Sequence, residues 1–197
     1  MKEQELSTLT EDIWDDHLKT IVHGFNSIDM KALEKAAELI WMTSLSNYRN
    51  NIYTIGNGAS ASIAQHWACD FTKGCQKGGV RPRVISLAAN IPLMTAISND
   101  ISYDDVYSFQ LNAFGQEGDI LIAISSSGNS PNVVKAIEAA KEKKVKVIAL
   151  TGFSPDNKCA QLADISLHVD IPEYEAAEDV HQAIMHMIAK YLRKKTG

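Results

Sequence analysis

The chain is short of cysteine, of excess positive charge and of long apolar runs, and each shortage removes a class of protein. Its 197 residues include only three cysteines, Cys69, Cys75 and Cys159, with no CxxC pair. That number excludes a disulfide framework and a four-cysteine zinc site, and it leads us to expect reduced thiols in a cytoplasmic protein. Lys and Arg total 19 against 24 Asp and Glu, a net charge of −5, so general nucleic-acid binding is excluded. The one basic run, Arg193-Lys194-Lys195, suits the end of a final helix. No segment reaches the roughly 18 apolar residues of a membrane span. The opening MKEQELSTLTED is polar and acidic, without the apolar centre of a secretory leader. We find no low-complexity tract and no internal repeat with a period of about 20–50 residues.

What is present suits one globular domain: 45% hydrophobic and 22% charged residues over a length that can bury a sizeable core. Apolar spacing predicts two amphipathic helices in the first part of the chain, about Thr10 to Phe25 and about Met30 to Tyr48. Ser27 or Asp29 is placed to cap the second. An alternation of short strands and helices follows. The strands are expected at Ile52–Ile55, Arg83–Leu87, Ile120–Ile124, Val145–Leu150 and Ile165–Val169. The helices between them are expected at Ser60–Thr72, Pro92–Ser98, Tyr103–Phe114, Asn132–Glu142 and near Asn157–Leu162, with a last one over Tyr174–Arg193. Such alternation predicts a parallel sheet covered on both faces. The βα turns then share one edge, where ligands bind in open α/β folds.

Two of those turns stand out. The strand ending at Ile124 runs into Ser125-Ser126-Ser127-Gly128-Asn129-Ser130 and then a helix, and the strand ending at Ile55 runs into Gly56-Asn57-Gly58-Ala59-Ser60 and then a helix. Free N–H groups at a helix N-terminus, with Ser hydroxyls as neutral donors, suit a phosphate. A plain Ser-capped turn accounts for either one alone; two at matching places point to a phosphorylated small molecule. The first turn lacks the third glycine of a dinucleotide fingerprint and the Gly-Lys-Ser/Thr of a P-loop.

These turns occur in a fixed order with Ala64-Gln65-His66-Trp67-Ala68, Ala96-Ile97-Ser98-Asn99-Asp100, Ala149-Leu150-Thr151-Gly152 and Glu178-Asp179-Val180-His181. In that set the chain resembles the SIS (sugar isomerase) domain family, and within it the phosphoheptose isomerases, over nearly its whole length. The resemblance implies an α/β, flavodoxin-like three-layer fold with a five-stranded parallel sheet. It implies a single SIS domain over residues 1–197, with 1–50 as a helical pair used in packing or oligomerisation and 51–197 as the α/β core. It further implies a homotetramer with interface active sites, acting on a small-molecule sugar phosphate, without nucleic acid or membrane partners. The implied reaction interconverts sedoheptulose 7-phosphate and D-glycero-D-manno-heptose 7-phosphate, feeding heptose into surface polysaccharide or a nucleotide-activated heptose. The candidate substrate and phosphate residues are Asn57, Gly58, Ala59, Ser60, Asn99, Asp100, Ser125, Ser126, Ser127, Ser130 and Glu178. A zinc ion is implied at His66, Asp70, Glu178 and His186, with Asp70 and His186 as the acid/base pair.

The residues bear on that chemistry by themselves. His66 and Asp70 lie four apart on one helix face. Glu178 and His186 lie eight apart on the last helix, with Gln182 between them. Imidazoles and carboxylates are competent zinc ligands, but the spacing alone is also met by a helix hydrogen bond, a first-turn acid and a core histidine. Moving a proton between C1 and C2 through an enediol(ate) needs a base, a hydroxyl-proton carrier and charge stabilisation. Asp70 and Glu178 stand where many relatives have Glu and Gln. The shorter Asp70 favours the alternative reading, a non-catalytic SIS module that binds a phosphosugar or a protein.

Overall fold

In the computed structural model, residues 3–45 and 49–196 are described. The elements are α1 (Glu3–Ser27), α2 (Met30–Thr43), β1 (Ile52–Gly56), α3 (Ala59–Gly74), β2 (Val84–Ser86), α4 (Ile91–Asp100), α5 (Ser108–Phe114), β3 (Ile120–Ser125), α6 (Pro131–Glu142), β4 (Lys146–Thr151), α7 (Lys158–Leu162), β5 (Ile165–His168) and α8 (Tyr174–Lys195). The five strands form one sheet in the order β2-β1-β3-β4-β5, and every pairing is parallel. The flavodoxin-like reading therefore holds.

Strand periodicity builds two cores. Ile52, Ile120, Ile122, Ile124, Ile148 and Leu150 point to the face covered by α2, α3 and α8. Their neighbours Tyr53, Ile55, Leu121, Ala123, Val147 and Ala149 point to the face covered by α4, α5, α6 and α7. A parallel strand buried on both faces has no polar side to show, which is why these segments read as unbroken apolar runs. In α3 the inward residues Ile63, Ala64, Trp67 and Phe71 recur at helical spacing, and in α8 Val180, Ile184, Ile188 and Leu192 do the same.

Expected boundaries change in places, and the first helix begins at Glu3, well before Thr10. The second helix ends at Thr43, with Ser44 as its C-cap, while 46–48, part of its expected end, lie outside the described residues. Asp29, not Ser27, caps its start, accepting from the N–H groups of Lys31 and Ala32. The single helix expected over Tyr103–Phe114 is split into a 3₁₀ turn at Tyr103–Asp105 and α5. Val106 and Tyr107, fully buried, form the break. The Tyr107 hydroxyl donates to the Gly56 carbonyl, tying the break to the end of β1. The leading helices also find their places. Helix α2 buries Leu33, Ala36, Ala37 and Ile40 in the first core. Helix α1 packs on α8 and leaves Ile13, Trp14, Leu18, Val22 and Phe25 exposed.

Candidate active site

The strand order reverses direction between β1 and β3, so the chain leaves these neighbours in opposite directions and opens a crevice beyond their carboxyl ends. Both Ser-bearing turns lie there. Asn57, Ser60, Ser125, Ser126, Ser127 and Ser130 line one cavity of about 100 Å³, closed from α8 by Tyr174 and Glu178. Gly58, at φ +55°, precedes α3, and Ser130 precedes α6; neither caps its helix with a side-chain hydrogen bond. The first N–H groups of α3, and the Asn132 N–H that follows Pro131 in α6, therefore lack a cap side chain as acceptor beside this cavity, a setting that favours an anion. The Ser126 hydroxyl is buried and has no hydrogen-bond partner among the described residues. A buried hydroxyl without a partner costs stability, so its retention beside the cavity fits a ligand that completes it. Gly128 takes φ +65°, and a Cβ there would run into the Asn157 side chain. Only glycine closes this turn without displacing α7.

A second cavity of about 640 Å³ adjoins the first through Glu178, and it is walled by Ala59, Ser62, His66, Glu178 and Gln182, with His17 of α1 on its rim. His66, which lines this cavity, is clustered with Asp70 and His186, each offering one ligand atom, all within 4.8 Å of one another. His66 Nε2 lies 3.2 Å from Asp70 Oδ1, and His186 Nε2 lies 3.9 Å from Asp70 Oδ2. The two rings meet edge to face at 5.2 Å. Ligands about 2.0–2.1 Å from a tetrahedral ion stand about 3.3 Å apart, so the Asp70 contacts with the two imidazoles, at 3.2 and 3.9 Å, lie near those of a zinc-sized cation. Gln182 Nε2 completes the group, 2.8 Å from His66 Nδ1 and 3.3 Å from His186 Nε2.

The structure does not bring every expected residue together. Glu178 is not among the donors that converge at Asp70. It sits two turns before His186, and Gln182, one turn before, occupies the intervening place. Glu178 instead borders both cavities. Burial pushes its carboxyl pKa up, and Glu175 and Asp179 add to the rise. Asn99 and Asp100 end α4, bonded to each other at 2.8 Å, and line neither cavity. Sequence reasoning passed over Asn132 and Tyr103, whose contacts with Asn57 span tens of residues and leave no local signal, and Tyr174, which lines the Ser-bearing cavity from α8. It also gave no role to His181. That imidazole is fully buried, its Nε2 3.2 Å from the Thr151 carbonyl and its Nδ1 without a partner among the described residues, and burial pushes its pKa down to about 4.

Comparison with known proteins agrees with this geometry. The SIS domain family matches residues 14–152. The phosphoheptose isomerase of Dechloromonas aromatica is 35% identical over 165 residues, covering 83% of this chain and 84% of that protein. That of Shewanella loihica is 37% identical over 160 residues, covering 80% of each. Among solved structures, a phosphoheptose isomerase from Neisseria gonorrhoeae superposes with a TM-score of 0.85 at 31% identity, covering 96% of this chain and 99% of that one. The chain belongs to the SIS domain family, in its phosphoheptose isomerase branch, and is a sugar-phosphate isomerase.

Proposed function

We propose that the protein interconverts sedoheptulose 7-phosphate and D-glycero-D-manno-heptose 7-phosphate. The observation that carries this reading is that Glu178 borders both the Ser-lined cavity and the cavity lined by His66 and Gln182, and that His66 is clustered with Asp70 and His186. The phosphate sits among Ser60, Ser125, Ser126, Ser127 and Ser130, and the carbon chain extends past Glu178 toward the histidines. Remote phosphate binding then orients C1 and C2 against the acid/base groups, an effect worth several orders of magnitude in rate when geometry is held. Asp70 and His186 are assigned to proton transfer. One removes the C1 proton of the ketose, the enediol forms, and a proton is returned at C2. The O1 proton passes to O2, a transfer assigned to Glu178, which borders both cavities. His66, Asp70 and His186 are also the donors that would hold zinc, with Gln182 beside them, so a lone pair that Asp70 or His186 gives to the ion is not the one that carries the proton. When bound, that ion supplies positive charge that stabilises the developing enediolate oxygens.

The exposed apolar row of α1 supports assembly into a homotetramer, with a single light-scattering mass as its check. We assign the protein to the cytoplasm and to heptose supply for surface polysaccharide. The reading is tested by turnover of sedoheptulose 7-phosphate, followed as the aldose product, with chelator and with added zinc. Zinc-restored turnover that His186→Ala abolishes is expected. Binding of the sugar phosphate without turnover, by folded and zinc-loaded protein, would instead support the non-catalytic reading that the short Asp70 favours. Asp70→Glu would then be expected to raise activity.

A further inference from the structure

Asn57 belongs to the turn after β1, and Asn132 is the second residue of α6, 75 positions away. Their side chains pair reciprocally. Asn57 Nδ2 donates to Asn132 Oδ1 at 2.9 Å, and Asn132 Nδ2 donates to Asn57 Oδ1 at 2.8 Å. The Tyr103 hydroxyl also donates to Asn57 Oδ1, at 3.0 Å. A primary amide has two N–H donors and two lone pairs on its oxygen. The Asn57 oxygen is therefore filled, and a single N–H remains. Asn57 lines the Ser-bearing cavity, whereas Asn132, 1% exposed, lies behind it.

We infer that Asn132, assisted by Tyr103, is a positioning residue that clasps the two Ser-bearing turns together and locks Asn57 as a pure donor toward the substrate's phosphate. The inference rests on reading this cavity as the phosphate site. The physical reason is the sign of the amide. Its carbonyl end would repel a phosphate oxygen and its N–H end attracts one. Turning over Asn57 alone would set oxygen against oxygen and N–H against N–H across the pair, so its orientation holds while Asn132 holds. The same pair fixes the separation between Ser60 on one turn and Ser125 to Ser130 on the other. Release of either restraint makes the anion order the site itself, which costs affinity.

Inorganic phosphate is the probe, titrated calorimetrically into the full chain, alongside KM and kcat for sedoheptulose 7-phosphate. Asn132→Ala is expected to weaken phosphate binding about tenfold and to raise KM by a similar factor, with kcat within about threefold, the pattern of lost uniform binding. The double variant Asn57→Ala/Asn132→Ala is expected to bind no more weakly than Asn57→Ala alone, because Asn132 acts through Asn57. Effects that multiply in the double variant, or a KM unchanged by Asn132→Ala, overturn the inference while leaving the phosphate reading intact. Failure of the wild-type chain to bind phosphate overturns the reading itself and the clasp with it. Should Asn132→Ala not fold, Tyr103→Phe decides. Tyr103 is half exposed and the change removes one oxygen. A rise in KM of about threefold is expected, and no change overturns the clasp.

Discussion

Ser126→Ala separates binding from stability because the two should move in opposite directions. The hydroxyl is 4% exposed and unpartnered in the unliganded chain. An unsatisfied buried polar group costs about 1–3 kcal/mol, a cost that Ala does not carry. The unliganded variant is therefore expected to be as stable as the parent or more stable, by up to about 2 kcal/mol. A hydrogen bond to a charged oxygen is worth about 1.5–3 kcal/mol. Its loss should weaken phosphate or sugar-phosphate binding by about 10- to 150-fold. Urea unfolding of the unliganded proteins measures the first quantity, and calorimetric titration the second. Ligand-induced stabilisation should shrink correspondingly, since it follows the ratio of ligand concentration to Kd. A variant that loses more than about 1 kcal/mol of unliganded stability, with unchanged affinity, would refute the reasoning: the hydroxyl would then be a structural group, not a ligand donor.

Other expectations follow from the same structure. Gly128→Ala places a side chain at φ +65° against Asn157, whose Oδ1 accepts from the Ala160 N–H at 2.8 Å to cap α7. A loss of about 2–3 kcal/mol, from the left-handed conformation and the disturbed cap, should appear in the unfolding midpoint. His181 has a folded pKa pushed down by burial to about 4 from the ordinary 6.5. The unfolded chain binds the extra proton between those values, so stability is lost as pH falls from about 6.5 to 4 and is regained on raising it, with an upper bound of about 3 kcal/mol from this residue. Replacing His181 by a non-titrating residue should flatten that part of the stability–pH curve, whatever it does to the plateau. Cys69 is exposed, whereas Cys75 and Cys159 are buried and burial pushes both thiols up, Cys159 to about 12. A chromogenic disulfide reagent at pH 8 should titrate one thiol in the native chain and three after unfolding, and two or more fast native thiols would contradict the packing.

Much of the fold was legible because it is written locally. The strands Ile120–Ser125 and Lys146–Thr151 are runs of apolar residues too short for a helix and flanked by turn residues. The helices show inward residues every three or four positions. The Tyr103–Phe114 segment misled because its apolar residues continue a helical spacing, whereas burial of Val106 and Tyr107 bends the chain there. His66 and Asp70 were legible as a pair because one turn of helix joins them. Glu178 was not separable from the metal donors by spacing, since two helical turns bring it nearly above His186. Only the placement of Gln182 against both histidines distinguishes them.

The sequence by itself determined the alternation of elements, the two glycine- and serine-bearing turns, and the His–Asp pair. Each depends on residues within one or two turns of one another, where backbone geometry leaves little choice. Tertiary structure decided what meets what. The strand order set β1 beside β3 and so placed two distant turns around one cavity. Packing of α8 on α3 carried Gln182 and His186 to His66, 116 and 120 positions away. Such contacts depend on how whole layers close over the sheet, a collective outcome of burying two apolar faces that no local spacing encodes.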